Sequence, residues 1–117
     1  MAKTAQQIAD DIYAHLNGDT NYKAYYIGIT NDIDRRLFGE HNVTKTPNAA
    51  WWIYREAINK DHAQAVEEHF LKKGMKGDTG GGTSDSTWVY CYKITKYTKE
   101  SNYEISSLRF RTIEKRR

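Results

Sequence analysis

Two adjacent carboxylates, Glu67 and Glu68, are the first side chains whose setting in the sequence suggests chemistry. Apolar residues recur at helical spacing across residues 62–73, which predicts an amphipathic helix. At about 100° per residue, Glu67 falls within the apolar arc of that helix and Glu68 falls outside it. The arc is formed by Ala63, Val66, Phe70 and Leu71. A carboxylate on the core side of a helix requires a cation, a hydrogen-bond donor or a metal ion. Glu67 is therefore a structural ion-pair partner or a metal ligand, and the helix alone favours the structural role.

A guanidinium and an imidazole lie on an earlier predicted helix, roughly residues 32–41. Arg36 and His41 flank the apolar side of this helix, whereas Arg35 points away from it. A guanidinium can hold two phosphate oxygens through parallel N–H donors, and an imidazole titrates close to neutral pH. A single Arg or His is more often solvated or structural, so neither residue by itself indicates a site.

Tyrosines are concentrated in two segments that we predict to be strands. Residues 23–29 (KAYYIGI) are rich in aromatic and β-branched side chains. Gly28 inside this strand indicates either a bulge or a group that approaches the backbone closely. Residues 87–96 (TWVYCYKITK) alternate, which predicts a half-buried strand. One face of that strand would carry Trp88, Tyr90, Tyr92 and Ile94.

Further elements are needed to position these side chains. Thr4 and Gln7 form a predicted capping box that opens a helix over residues 5–16. Residues 50–55 read as a strand, and Asp61 predicts the start of the helix that carries Glu67 and ends at Gly74. Residues 101–117 fit a helix or a strand equally well. The alternation of helices and strands with short connections predicts one mixed α+β domain over residues 1–117.

Composition excludes some classes of protein and leaves others open. No apolar run approaches the roughly 20 residues that a membrane span requires, and the stretch MAKTAQQIADD lacks the apolar core of a secretory signal. Cys91 is the single cysteine, which fits a reducing, cytoplasmic setting. The net charge is +3, and residues 101–117 alone, with five basic and two acidic residues, account for the whole excess. That segment is either a phosphate contact or a solvated end.

The tyrosine-rich strand and the arginine-bearing helix that follows it together resemble a known signature. The segment YYIGIT, followed by Arg35-Arg36-Leu37 and Glu40-His41, is similar to the second half of the signature of GIY-YIG nucleases, a Tyr-Ile-Gly strand leading into a helix with an essential Arg. The helix AQAVEEHFL resembles the family's helix that carries its metal-binding Glu, and Glu67 is the residue in register. The resemblance covers about residues 22–75. It implies a small antiparallel three-stranded sheet flanked by helices.

The sequence departs from the family at one important point. A Gly-Ile-Tyr strand is expected about ten residues before the Tyr-Ile-Gly strand, and this region is instead the end of the first predicted helix. The strand around Tyr90 could pair beside residues 23–29 and bring that tyrosine into the missing position. Tyr22 and Tyr25 are the other candidates. A missing tyrosine would imply altered chemistry or none.

The resemblance implies hydrolysis of phosphodiester bonds with one divalent cation, Mg²⁺ or Mn²⁺. Glu67 would hold the metal, and Arg36 would clamp the non-bridging phosphate oxygens. Tyr26, or a tyrosine beside it such as Tyr90, would activate or orient the attacking water. His41 would assist proton transfer.

The expected partner is nucleic acid, with DNA as the first candidate. The side chains expected to contact its backbone are Lys23, Arg55, Lys72, Lys73, Arg109 and Arg111. A non-catalytic module on the same scaffold is the alternative, and it would bind nucleic acid through the basic tail or a protein through exposed Trp residues. A ligand site around the glycine-rich residues 74–86 ranks last. So small a domain would act as a homodimer, borrow targeting from a partner or cut loosely.

Overall fold

A computed structural model describes residues 2–45, 50–77 and 84–99 of the chain. The helices are α1 (Ala5–Leu16), a short 3₁₀ helix (Tyr22–Ala24), a π-helix (Asp34–Glu40) and α2 (Lys60–Lys73), and the strands are β1 (Tyr25–Thr30), β2 (Trp52–Glu56) and β3 (Trp88–Lys93). The three strands form one antiparallel sheet, which confirms the predicted α+β class. The final segment, 101–117, and most of the glycine-rich stretch lie outside the described residues.

The ends of the two α-helices follow from local capping chemistry. The Thr4 hydroxyl accepts the Gln7 N–H and the Gln7 side chain accepts the Thr4 N–H, so the predicted capping box of α1 is confirmed. The predicted start of α2 at Asp61 is wrong, because the side chain of Asn59 accepts the His62 N–H and begins the helix at Lys60. The predicted end at Gly74 is confirmed, and the φ of 118° there is a conformation that favours glycine.

The order of strands in the sheet is β1-β3-β2, so the last strand in the chain is the central one. Gly28 of β1 and Tyr54 of β2 lie on either side of Tyr90. Because β3 is paired along both edges, its backbone polar groups are satisfied and it can be buried on both faces. The predicted half-burial is therefore too low: residues 89–92 are all buried.

Each face of the sheet has its own core, because side chains alternate along a strand. One face packs against α1 and α2 through residues such as Ile27 and Cys91. The opposite face carries Tyr26, Tyr90 and Tyr92 and packs against the segment that contains the π-helix. The site described below lies on this second face and at its edge.

The helix predicted over residues 32–41 is a π-helix rather than an α-helix. Its C-terminal hydrogen bond runs from the His41 N–H to the Arg36 carbonyl, five residues back, at 2.9 Å. Residues five apart in an α-helix project about 140° apart. The wider π turn reduces this angular separation between Arg36 and His41, and both side chains contact the Tyr90 hydroxyl.

Asp11 on α1 pairs with two cations, and one of them, Arg55, joins the helix to β2. Its Oδ2 lies 2.8 Å from Lys3 Nζ and 3.0 Å from Arg55 Nε. The hydrogen bond from Lys3 is the largest cause that lowers the pKa of the Asp11 carboxyl below its ordinary value of 3.8, and Arg55 lowers it further against the cost of burial. Arg55 is thus occupied in an ion pair on the sheet face opposite Tyr90.

We expect Asp11→Asn to lower the free energy of unfolding by roughly 0.5–1 kcal/mol at pH 7. A carboxyl whose pKa is lowered by folding contributes stability above its unfolded pKa, and this contribution is lost as the pH falls through the lowered value. The difference between wild type and variant, measured by urea denaturation, should therefore shrink towards pH 3. A difference that is constant from pH 7 to pH 3 would contradict the ion-pair explanation.

Among the described residues, no helix has the length and apolar character required to cross a bilayer.

Candidate active site at the Tyr90 hydroxyl

The hydroxyl of Tyr90 is brought above the edge strand β1 by the packing of its ring. Tyr90 lies directly opposite Gly28, and a Cβ at position 28 would overlap the Tyr90 ring and hydroxyl. The end of the ring and its hydroxyl therefore lie over the edge strand β1, where Gly28 has no side chain. Of the two predicted explanations for Gly28, a bulge or a close approach to the backbone, the structure confirms the close approach. The predicted pairing of the Tyr90 strand beside the Tyr-Ile-Gly strand is confirmed as well.

Two side chains from the π-helix region hold this hydroxyl. The Nε–H of Arg36 donates to the Tyr90 oxygen at 3.3 Å, and the Nε2 of His41 lies 2.8 Å from it. His41 is fully buried. A guanidinium and an imidazole on the same phenol oxygen can change where its proton lies.

Arg36 is the more exposed member of this group. Its side chain is 18 % exposed, against 53 % for Arg35, so the predicted orientations of the two arginines are confirmed. Its Nη1 pairs with Glu40 at 2.7 Å. Burial acts to lower the pKa of the Arg36 guanidinium, but Tyr90 and Glu40 raise it by more, so the net shift is upward. Arg36 therefore keeps its positive charge at any pH at which the protein would work.

Glu67 lies on the buried side of α2, as the helical wheel predicts. It is 5 % exposed, whereas the neighbouring Glu68 is exposed. Helix α2 packs against β1, the strand that the Tyr90 ring crosses. The Glu67 carboxylate is close enough to contribute to raising the pKa of the Tyr90 hydroxyl. Arg36 and Glu67 thus act on the same hydroxyl from two different elements.

Tyr90 is a protonated phenol at neutral pH. Burial is the largest cause that raises its pKa above the ordinary value of 10.0, and the charge and hydrogen bond of Arg36 act in the opposite direction without overcoming it. A neutral phenol is a poor base by itself. It can take a proton from water only if it passes its own proton to another group, and His41 is the group within hydrogen-bond distance.

Tyr26 forms part of the wall around this hydroxyl. Its ring is stacked on Tyr90, with centroids 6.3 Å apart, and on Tyr92, with centroids 5.2 Å apart, and it lies 4.6 Å from the ring of His41. The other tyrosines considered for the site are placed elsewhere. Tyr25 belongs to the opposite core and donates its hydroxyl to Asp19, and Tyr22 packs against that same core.

Two residues that complete the site were not assigned roles from the sequence. Glu40 bridges Arg35 and Arg36, and its spacing of four residues from Arg36 is a signal that could have indicated the pair. Tyr92 contacts the far side of His41, at 2.9 Å from Nδ1. The alternation of β3 placed Tyr92 on the same face as Tyr90, but no local pattern indicated that His41 lies between them.

The basic residues predicted to contact nucleic acid fall into three groups. The first group is exposed and lies near the start of β1; it consists of Lys23, Lys72 and Lys73. These residues are neighbours because the end of α2 packs beside the 3₁₀ helix, where a Cβ on Gly74 would be 3.7 Å from the Cβ of Tyr22. Arg55 lies on the opposite face of the sheet, paired with Asp11. The remaining two, Arg109 and Arg111, lie outside the described residues.

The donor set at the site suits a hard cation held by few protein ligands. Within residues 2–45, 50–77 and 84–99 no group of three or more His, Cys, Asp or Glu side chains could hold a metal ion. Glu67 offers a buried carboxylate whose charge acts on the Tyr90 phenol, and Mg²⁺ commonly takes one or two carboxylates and keeps its other positions for water and phosphate. The residues present thus fit Mg²⁺ and do not form a closed, all-protein cage.

Comparison of the chain with known protein families, characterised proteins and solved structures gives no match. The function must therefore be argued from the site itself.

Proposed function

We propose that this protein is a GIY-YIG-type nuclease that hydrolyses phosphodiester bonds in nucleic acid, with DNA as the expected substrate and one divalent cation as the cofactor. The observation that carries the proposal is the convergence on the Tyr90 hydroxyl of a guanidinium, an imidazole and the field of a buried carboxylate. Each group supplies one of the requirements of phosphodiester hydrolysis, which are charge stabilisation, proton transfer and metal binding.

Arg36 is proposed to bind the non-bridging oxygens of the scissile phosphate. Its positive charge is held by Glu40 and by the hydroxyl of Tyr90, so the guanidinium is oriented before substrate arrives. Since Arg36 is the more exposed member of the site and Tyr90 is buried, the phosphate would approach from the Arg36 side. Negative charge that builds on the phosphate during attack would be stabilised by this cation.

Tyr90 and His41 are proposed to move the proton of the attacking water. As the water oxygen forms its bond to phosphorus, its proton passes to the Tyr90 oxygen while the Tyr90 proton passes to Nε2 of His41. The bond from phosphorus to the leaving ester oxygen breaks, and that oxygen takes a proton from solvent water. His41 then returns its proton to solvent through Tyr90, which restores the starting state.

Glu67 is the residue proposed to hold the metal ion. When bound, Mg²⁺ would neutralise charge on the phosphate and on the leaving oxygen. Glu67 lies on α2, which packs against β1 in the core opposite Tyr90, and its charge acts on the Tyr90 hydroxyl, so the group that would bind the metal and the group that would handle the proton come from different elements.

Lys23, Lys72 and Lys73 are proposed to contact the nucleic-acid backbone, and the exposed Lys76, which bridges to Tyr26 along the edge of β1, extends the same surface. In Lys72→Gln/Lys73→Gln, DNA affinity should fall and the slope of log K against log salt should decrease by about one for each lost phosphate contact. Lys60→Gln is the matched control, because Lys60 begins the same helix about 18 Å away. Equal losses in both variants would contradict a local surface.

The experiment that tests the proposal is cleavage of plasmid DNA and of RNA by the purified chain, with Mg²⁺ or Mn²⁺ and with excess EDTA. We expect metal-dependent cleavage that EDTA abolishes and added metal restores. Salt-sensitive DNA binding without cleavage under any of these conditions would replace the nuclease by a nucleic-acid-binding module on the same scaffold. Neither binding nor cleavage would leave a protein partner as the alternative.

A further inference from the structure

On the side away from Tyr90, His41 makes two hydrogen bonds with the main chain of Lys99. The Lys99 N–H donates to the His41 carbonyl at 2.8 Å, and the Lys99 carbonyl lies 2.5 Å from Nδ1 of the same histidine. A carbonyl oxygen can only accept a hydrogen bond, so Nδ1 must carry a proton. The first bond holds the main chain of His41, and the second orients its ring and sets which nitrogen carries the proton.

Tyr92 adds a second contact at the same nitrogen. Its hydroxyl oxygen is 2.9 Å from Nδ1 of His41 and 3.3 Å from the Lys99 carbonyl. The arrangement that satisfies all three groups has the Tyr92 hydroxyl donating to the carbonyl while its oxygen accepts a share of the Nδ1–H. Tyr92 and His41 are both fully buried, so the bond between their side chains is shielded from bulk water, whereas Lys99 itself is exposed.

The consequence for the other nitrogen follows from the chemistry of imidazole. A neutral imidazole has one N–H, and burial favours the neutral ring. With the proton on Nδ1, the lone pair of Nε2 faces the Tyr90 hydroxyl at 2.8 Å and accepts from it. The opposite tautomer would set the Nδ1 lone pair against a carbonyl oxygen and would turn Nε2 into a donor, so that Tyr90 could no longer give up its proton.

We propose that Tyr92 and the Lys99 main chain lock His41 as the Nδ1–H tautomer, and that Tyr92 is therefore a positioning residue for proton transfer from Tyr90. The inference rests on the proposed nuclease function for its kinetic consequence, but not for its structural one. When His41 receives the Tyr90 proton, the hydrogen bond from Nδ1–H to the Lys99 carbonyl becomes charge-assisted. This stronger bond stabilises the imidazolium.

The structural part is tested by nitrogen NMR of the full chain labelled with ¹⁵N in its histidines. The signals of His41 are assigned by their loss in His41→Gln. We expect Nδ1 to appear as a protonated nitrogen and Nε2 as an unprotonated one. A protonated Nε2 with an unprotonated Nδ1 would overturn the inference, whether or not the protein cleaves DNA.

Tyr92→Phe tests the part assigned to Tyr92. We expect it to shift the Nδ1–H proton signal of His41 and to lower kcat for cleavage about tenfold with little change in KM. In a Tyr90→Phe background the same change should cause no further loss, because the proton path it supports is already absent. Unchanged His41 signals in Tyr92→Phe, or equal losses of kcat in both backgrounds, would remove Tyr92 from this role.

Tyr25→Phe is the matched control, since it removes a hydroxyl that is hydrogen-bonded to Asp19 in the core on the opposite face. It should leave the His41 signals and kcat unchanged. The two proposals fail separately: a correct tautomer and a responsive Nδ1–H in a protein that does not cleave nucleic acid would refute the nuclease and keep the locked histidine.

Discussion

Glu67→Gln should lower metal-dependent cleavage by about a hundred- to a thousandfold, the range observed when one charge-stabilising group is removed from an active site. The amide keeps the size of the side chain but offers a cation no negative charge. Glu67 is buried on α2, and its charge contributes, after burial, to raising the pKa of the Tyr90 hydroxyl. The measurement is the rate of plasmid nicking at saturating Mg²⁺, together with the metal concentration that gives half-maximal rate.

The neighbouring glutamate provides the control for this prediction. Glu68 has the same chemistry and the same helix but is exposed. Glu68→Gln should cleave at the wild-type rate with unchanged metal dependence, and thermal unfolding of both variants shows that each is folded at the assay temperature. Full activity in Glu67→Gln would exclude this carboxylate from metal binding, and equal loss in Glu68→Gln would indicate a general effect of charge on α2.

Gly28→Ala should destabilise the protein by roughly 3 kcal/mol or more, at the upper end of the cost of overpacking a core. Gly28 does not have a positive φ, so the requirement for glycine there is one of space: a Cβ would overlap the ring of Tyr90. The ring cannot yield easily, because its hydroxyl is held by Arg36 and His41. Urea denaturation gives the loss of stability, and this prediction does not depend on any activity.

A double-mutant cycle identifies the cause of that loss. In a Tyr90→Ala background the ring is absent, and Gly28→Ala should then cost less than about 1 kcal/mol. Gly39→Ala is the control, because a Cβ there would meet only the Asp34 carbonyl oxygen, at an ordinary contact distance of 3.5 Å. A cost for Gly28→Ala that is the same with and without the Tyr90 ring would mean that the ring does not occupy this space.

Local patterns in the sequence were sufficient for several parts of the site. The wheel separated Glu67 from Glu68 because the side of a helix on which a residue lies depends only on its spacing from the apolar residues. Alternation along β3 put Tyr90 and Tyr92 on one face for the same reason. Gly28 in an otherwise bulky strand indicated a bulge or a close approach to the backbone, and the structure decided for the close approach. The faces of the helix and of the strand are set by the nearest residues in the chain.

Other parts depend on contacts between residues that are far apart in sequence. The sequence alone could not determine that β3 pairs with both β1 and β2, since strand order is decided by which arrangement buries both faces of the central strand. The start of α2 was misplaced because Asn59 and Asp61 are both good capping residues, and the folded chain uses Asn59. When two capping residues lie this close together, the local sequence does not decide which of them begins the helix.

The sequence by itself determined which residues could do chemistry and on which side of each element they lie, because helical and strand periodicity fix the direction of a side chain. Only the tertiary structure decided that Arg36 and His41 meet at the Tyr90 hydroxyl. The central position of β3 carries Tyr90 across Gly28, and the π turn aligns Arg36 with His41. The main-chain carbonyl of Lys99, 58 residues away in sequence, contacts Nδ1 of His41. These contacts form because the fold buries both faces of the sheet at once. No local pattern in the sequence encodes that arrangement.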